Sequence, residues 1–163
     1  MDAAALIAAL GPALATFVVA VVSAVVPVLY IEVYLIAAVA LVPDGYATWS
    51  LGVVAALGQM VGKSLLYWSA RGVTTFWMPP PGEHGRTRGL QHRMAAMNPV
   101  AVNGLTFASA FLGFPPLILV APAAGAAAVS FWQFAVSGMA GRVLRFTGLV
   151  LAGAGIEHLV TGG

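Results

Sequence analysis

Residues 47–70 read ATWSLGVVAALGQMVGKSLLYWSA, a run in which Lys63 is the one charged side chain. At about 1.5 Å per residue these 24 positions predict a helix of roughly 36 Å, enough to cross a bilayer core of about 30 Å. Gln59, Lys63 and Tyr67 stand at i, i+4 and i+8, so the helix gathers them on one face. Gly58 and Gly62 form a G-x-x-x-G step that lets another helix approach closely.

Composition extends this reading to the whole chain. Of 163 residues, 61% are hydrophobic and 7% charged, with a mean hydropathy of +0.97. A soluble domain carries about 25% charged residues to keep its surface in water, so an ordinary soluble globule is excluded. The expected fold is an all-α integral membrane protein forming a single membrane domain over residues 1–163. No charge interrupts the chain between Asp2 and Glu32, or between Arg93 and Arg142. The absence of cysteine excludes a disulfide framework, a thiolate metal site and a cysteine nucleophile. Met1-Asp2-Ala3 lacks the basic start of a cleavable signal, so the first apolar run is expected to be a retained helix. The net charge of +2 is traced to one basic stretch and not to a nucleic-acid partner.

Working outward from 47–70, residues 3–26 predict a first helix, with Gly11-Pro12 near its start. The span from Pro27 to Val42 is short for a crossing and ends at the turn signal Pro43-Asp44-Gly45, which predicts a broken or re-entrant element. Residues 71–98 change character. Pro79-Pro80-Pro81-Gly82 breaks any helix, and Arg71, Arg86, Arg88 and Arg93 supply four of the seven basic residues, so this is expected to be a cytoplasmic loop. Residues 102–125 are apolar but interrupted by Gly113-Phe114-Pro115-Pro116 and by Pro122. A helix over about 130–154 follows, carrying Gly138, Gly141, Arg142 and Arg145. Gly62-Lys63 thus corresponds to Gly141-Arg142. The plan is two inverted repeats, 1–70 and 99–163, each a proline-broken hairpin (Pro27 in the first, Pro115 and Pro116 in the second) followed by a transmembrane helix. Transporters built this way bind substrate near the midplane.

The intramembrane charges are the candidate site. A carboxylate in hydrocarbon is costly unless paired or wetted, which makes Glu32 a candidate for proton or ion coupling; the other reading leaves it solvated just past the first helix. Lys63 either snorkels toward the cytoplasmic side or faces Glu32 across a polar cavity as an ion pair or phosphate ligand, with Gln59 and Tyr67 extending the stripe. Arg142 and Arg145 share a helix face near mid-span and call for an anionic partner, either Glu32 or a phosphate headgroup gripped by the guanidinium fork. One acid against three cations leaves excess positive charge, so the expected ligand is an anionic lipid. There is no HExxH, no P-loop and no paired-aspartate phosphotransferase motif, and Ser137-Gly138 lacks the glycine that precedes a nucleophilic serine. Neither an enzyme nor a cofactor is expected. His84, His92 and His158 read as solvated and not as metal ligands, and Trp49, Trp68, Trp77 and Trp132 as an aromatic belt.

Taken in order, Pro27-x4-Glu32, Gly58-Gln59-x2-Gly62-Lys63-x3-Tyr67, Gly113-Phe114-Pro115-Pro116 with Ala124-Gly125, and Phe134 followed by Gly141-Arg142-x2-Arg145-Phe146 resemble the DedA family, whose members share the VTT, or SNARE-associated, domain. The likeness covers about residues 20–155. It implies two re-entrant hairpins flanked by membrane helices in the bacterial cytoplasmic membrane. It also implies movement of undecaprenyl phosphate or phospholipid, coupled to protons. Glu32 matches the acidic residue of the first hairpin, and Arg142 with Arg145 match the basic residues after the second. Many larger members have Asp at the position of Lys63 and an Arg in the second hairpin, so this chain resembles a short, divergent member. The expected activity is that of a lipid transporter or flippase. The alternative is a non-transporting scaffold whose glycine-rich faces hold a partner or a second copy, while an intramembrane enzyme lacks a nucleophile and a base.

Overall fold

Gly11 has φ +76°, outside the helical region, and Pro12 follows at the first helical position, where its missing N–H costs nothing. The first described helix therefore begins at Pro12, and residues 3–10 of the expected helix lie outside the described residues. The computed structural model describes residues 11–26, 30–42, 47–72 and 84–161, with the backbone alone at 84 and 154–161. These residues form seven helices and no strand: α1 (Pro12–Val25), α2 (Ile31–Val39), α3 (Trp49–Ala70), α4 (His84–Ala96), α5 (Pro99–Leu112), α6 (Leu117–Ala126) and α7 (Phe131–Thr161). Two of them, Trp49–Ala70 and the Phe131–Gly153 part of α7, are long and apolar enough to cross a membrane. Both coincide with the helices expected from the sequence.

The span expected to be broken after residue 26 contains the nine-residue α2, roughly 14 Å long and too short to cross. Glu32 lies in its first turn, where the helix dipole favours a negative charge. Pro27 and the Pro43-Asp44-Gly45 turn lie outside the described residues.

The segment expected to be a basic loop contains α4, a helix of 13 residues. No proline stands between Pro81 and Pro99, and Leu90 and Met94, one turn apart, form an apolar edge that packs into the core. Met94 is 1% exposed, and Gln91 Nε2 donates to the Ala126 carbonyl at 3.3 Å. Burial against α6 thus makes a helix of a sequence whose polarity reads as loop.

Asn98 caps α5 by accepting from the Ala101 N–H at 2.8 Å, with Pro99 at the first helical position. Gly113 closes the helix in the left-handed region at φ +82°, where glycine has no Cβ penalty. The chain then turns through a cis Phe114–Pro115 bond, Ser109 Oγ donates to the Pro115 carbonyl at 2.5 Å, and α6 starts after Pro116. The break expected at Gly113–Pro116 is therefore present. The break expected at Pro122 is not. This residue sits buried inside α6, and packing against α4 and α5 holds the helix although one internal N–H is missing.

The chain divides into two compact units, one of residues up to Gln59 together with those from Val143, the other of Met60–Arg142. Both boundaries fall inside long helices, α3 and α7, and not between sequence halves. In the first unit, Gly58 lies so close to α1 that a Cβ there would stand 2.7 Å from the Phe17 carbonyl oxygen and 2.8 Å from Ala20 Cβ. The second unit is built on an apolar core that includes Leu66, Tyr67, Met94, Val120 and Phe134. Trp68, expected in an aromatic belt, packs against this core, whereas Trp49 and Trp132 are exposed. Trp77 lies outside the described residues.

Candidate functional site

In the first unit, α2 presents Glu32 and α7 presents Arg145, and Arg145 Nη2 donates to Glu32 Oε1 at 2.9 Å. The two are 113 positions apart in the chain, so the pair exists only because the fold brings the ends of the sequence together. Their side chains are 31% and 29% exposed, neither sealed in nor fully solvated. A charge-assisted bond of this length is strong where water is scarce, yet a guanidinium held by a carboxylate is also held by a group that a proton neutralises and a phosphate mimics.

In the same unit, polar groups tie α1 to α3 and to α2. Gln59 Nε2 donates to Ser23 Oγ at 2.7 Å, and Ser23 Oγ donates to the Ala20 carbonyl at 3.0 Å. The hydroxyls of Thr16 and Tyr34 meet at 3.3 Å. Gln59, expected on a substrate-facing stripe, is buried and engaged with α1.

The second unit holds Lys63 and Arg142. Lys63 is 4% exposed and lies within electrostatic reach of Arg142, a like charge. Three residues apart on α7, Arg142 and Arg145 thus take different surroundings, with Arg145 meeting the carboxylate and Arg142 sharing a unit with the lysine.

Tyr67 completes the set in another way. Its Oη donates to the Val129 carbonyl and accepts from Arg71 Nη1, and Arg71 Nη1 also donates to the Val129 carbonyl at 3.1 Å. The Tyr67 ring stacks on Phe134 with centroids 5.3 Å apart and meets Trp68 edge-on at 5.2 Å. Arg71 lies 5.7 Å from the Tyr67 ring centre and 5.8 Å from that of Trp68, within cation–π range. This knot fixes the turn between α6 and α7, where Ala128 has φ +55°. The sequence reading places Arg71 in the cytoplasmic basic loop; its i, i+4 spacing from Tyr67 is the signal that ties it to the end of α3, one residue before it.

Of the sequence-predicted residues, Glu32 and Arg145 are brought into contact, Lys63 and Arg142 share the other unit, and Gln59 and Tyr67 have partners inside the protein. Pro115 and Pro116 form the break before α6. No family model matches this chain, and no curated protein or solved structure does.

Proposed function

We propose that the chain is a multi-pass protein of the cytoplasmic membrane, a transporter of the DedA kind that moves a phosphate-bearing lipid, with the Glu32–Arg145 pair as its exchange point. The observation that carries this reading is the 2.9 Å contact between a carboxylate and a guanidinium on two apolar helices, both part-exposed. In the resting state Glu32 neutralises Arg145. A proton taken up by Glu32 releases the guanidinium, which then grips the lipid phosphate by its planar fork. Loss of that proton restores the pair and expels the phosphate. Lys63 and Arg142 form a separate positive position within the second unit, which suits anionic lipids in general. Residues 71–98, α4 included, face the cytoplasm because they hold four of the seven cations.

The competing scaffold reading rests on glycine-rich faces, and Gly58 is occupied by α1 of the same chain. That favours transport over assembly through this step.

The test is movement of labelled lipid phosphates across liposomes containing wild type, Glu32→Gln or Arg145→Ala at matched protein content. Flux in wild type that falls about tenfold or more in both variants, while each stays folded in detergent, is the expected result. Wild-type vesicles no faster than empty ones under a pH gradient of either direction would replace transport by the scaffold.

A further inference from the structure

A cavity of about 670 Å³ opens between α4 and the start of α6, and its lining includes none of Glu32, Arg145, Lys63 and Arg142. One wall is α4. Arg86 and Arg93 are seven residues apart, two helical turns, and so project on one side, with Gly89 between them. Both arginines are exposed, and a Cβ added at Gly89 would meet nothing within 4 Å. The opposite wall is apolar and comes from the Gly113–Pro116 break and the first turn of α6, chiefly Phe114, Pro116 and Leu119. None of the described lining residues is acidic. At its mouth the apolar surface continues outward, with Phe114 80% and Leu112 67% exposed.

Two guanidiniums facing an oily wall form a two-part recognition surface. Arginine is suited to phosphate by its rigid fork of donors, whereas prolines and aromatic side chains offer an anion nothing and an alkyl chain a great deal. A free phosphate would leave the apolar wall in contact with water, and a neutral lipid would leave both cations without a counter-charge. We propose that this cavity binds an amphiphile whose phosphate headgroup carries net negative charge, the phosphate between Arg86 and Arg93 and the first part of an acyl chain along Phe114, Pro116 and Leu119. The site is distinct from the exchange pair and does not require transport. It would hold an anionic lipid against α4 and the break before α6, as a regulatory or entry position.

The test uses the full chain in non-ionic detergent and a phosphatidic acid carrying a photoreactive diazirine in its acyl chain, with cross-linked peptides mapped by mass spectrometry. Labelling is expected at residues 111–119. It should fall about tenfold in the double variant Arg86→Gln/Arg93→Gln, and likewise in Gly89→Trp, where the indole fills the cavity. Arg88→Gln removes the same charge from α4 outside the cavity and should keep labelling within about twofold. The matching phosphatidylcholine probe should label at least about tenfold less, and inorganic phosphate at the lipid's concentration should not compete. Labelling that survives the double variant, that is equal with phosphatidylcholine, or that inorganic phosphate abolishes would overturn the assignment. Because this readout needs no flux, a transport-dead wild type would leave it standing, and its failure would leave the exchange pair untouched.

Discussion

Arg71 and Arg145 are the same side chain in two kinds of company. Arg71 donates to the Tyr67 hydroxyl and the Val129 carbonyl and lies against two aromatic rings, so its described partners are a hydroxyl, a carbonyl and two ring faces. Arg145 is held by Glu32, a carboxylate with about a third of its surface accessible. In the proposed exchange, protonation cancels that partner and a phosphate replaces it. The first arrangement locks a turn; the second is the one proposed to let a cation change hands. Position along an apolar helix does not separate the two, but the chemistry of the acceptor does.

The sharpest way to break this contrast is to overload the locked side. Gly125 lies against the Tyr67 carbonyl so tightly that a Cβ has no room and only backbone could yield. Gly125→Val is expected to destabilise the protein by about 3 kcal/mol, read as a lower unfolding midpoint in detergent. Tyr67→Phe keeps the stack on Phe134 but deletes the hydroxyl that serves both Arg71 and Val129; about 2 kcal/mol should be lost on the same scale. A value near zero would mean that the knot is ornamental. Ser109→Ala, which removes one bond to the Pro115 carbonyl beside the break, is expected to cost about 1 kcal/mol. On the switchable side the stability effect should be smallest. Glu32→Gln is expected to shift stability by under about 1 kcal/mol, as for other part-exposed pairs, while transport falls about tenfold. Exchanging the two residues, Glu32→Arg with Arg145→Glu, should keep the fold and still abolish flux, because the guanidinium then sits on the wrong helix. If the exchange restores transport, the pair is structural and the contrast with Arg71 disappears.

Particular residues show how far the sequence reaches. The long helices α3 and α7 were legible because their long, predominantly apolar runs leave few alternatives, and the turn at Gly113–Pro116 because a glycine followed closely by two prolines disfavours a continuing helix. The helix α4 was not legible. Its polar composition resembles a loop, and only packing of Leu90 and Met94 reveals it. Pro122 was misleading for the opposite reason, since a local breaker yields to burial on α4 and α5. At the site, helical spacing placed Gln59 and Tyr67 on a single face, and both are buried, yet periodicity says nothing about which partner satisfies a polar group. Ser23 takes Gln59, and Val129 with Arg71 takes Tyr67. Charge counting pointed to Glu32 as the acid for the α7 arginines, but only the fold selects Arg145.

The proposed exchange requires that phosphate and the Glu32 carboxylate compete for Arg145. Isotope-edited infrared spectroscopy of the reconstituted chain, with glutamate carboxylates labelled and the Glu32→Gln spectrum subtracted, reads that carboxylate directly. On addition of phosphatidic acid its stretching band should move to the position of a released or protonated group, with no such change on addition of phosphatidylcholine or in Arg145→Gln. A Glu32 band that stays fixed while wild-type protein moves the lipid would show that the pair never opens, and would contradict the exchange.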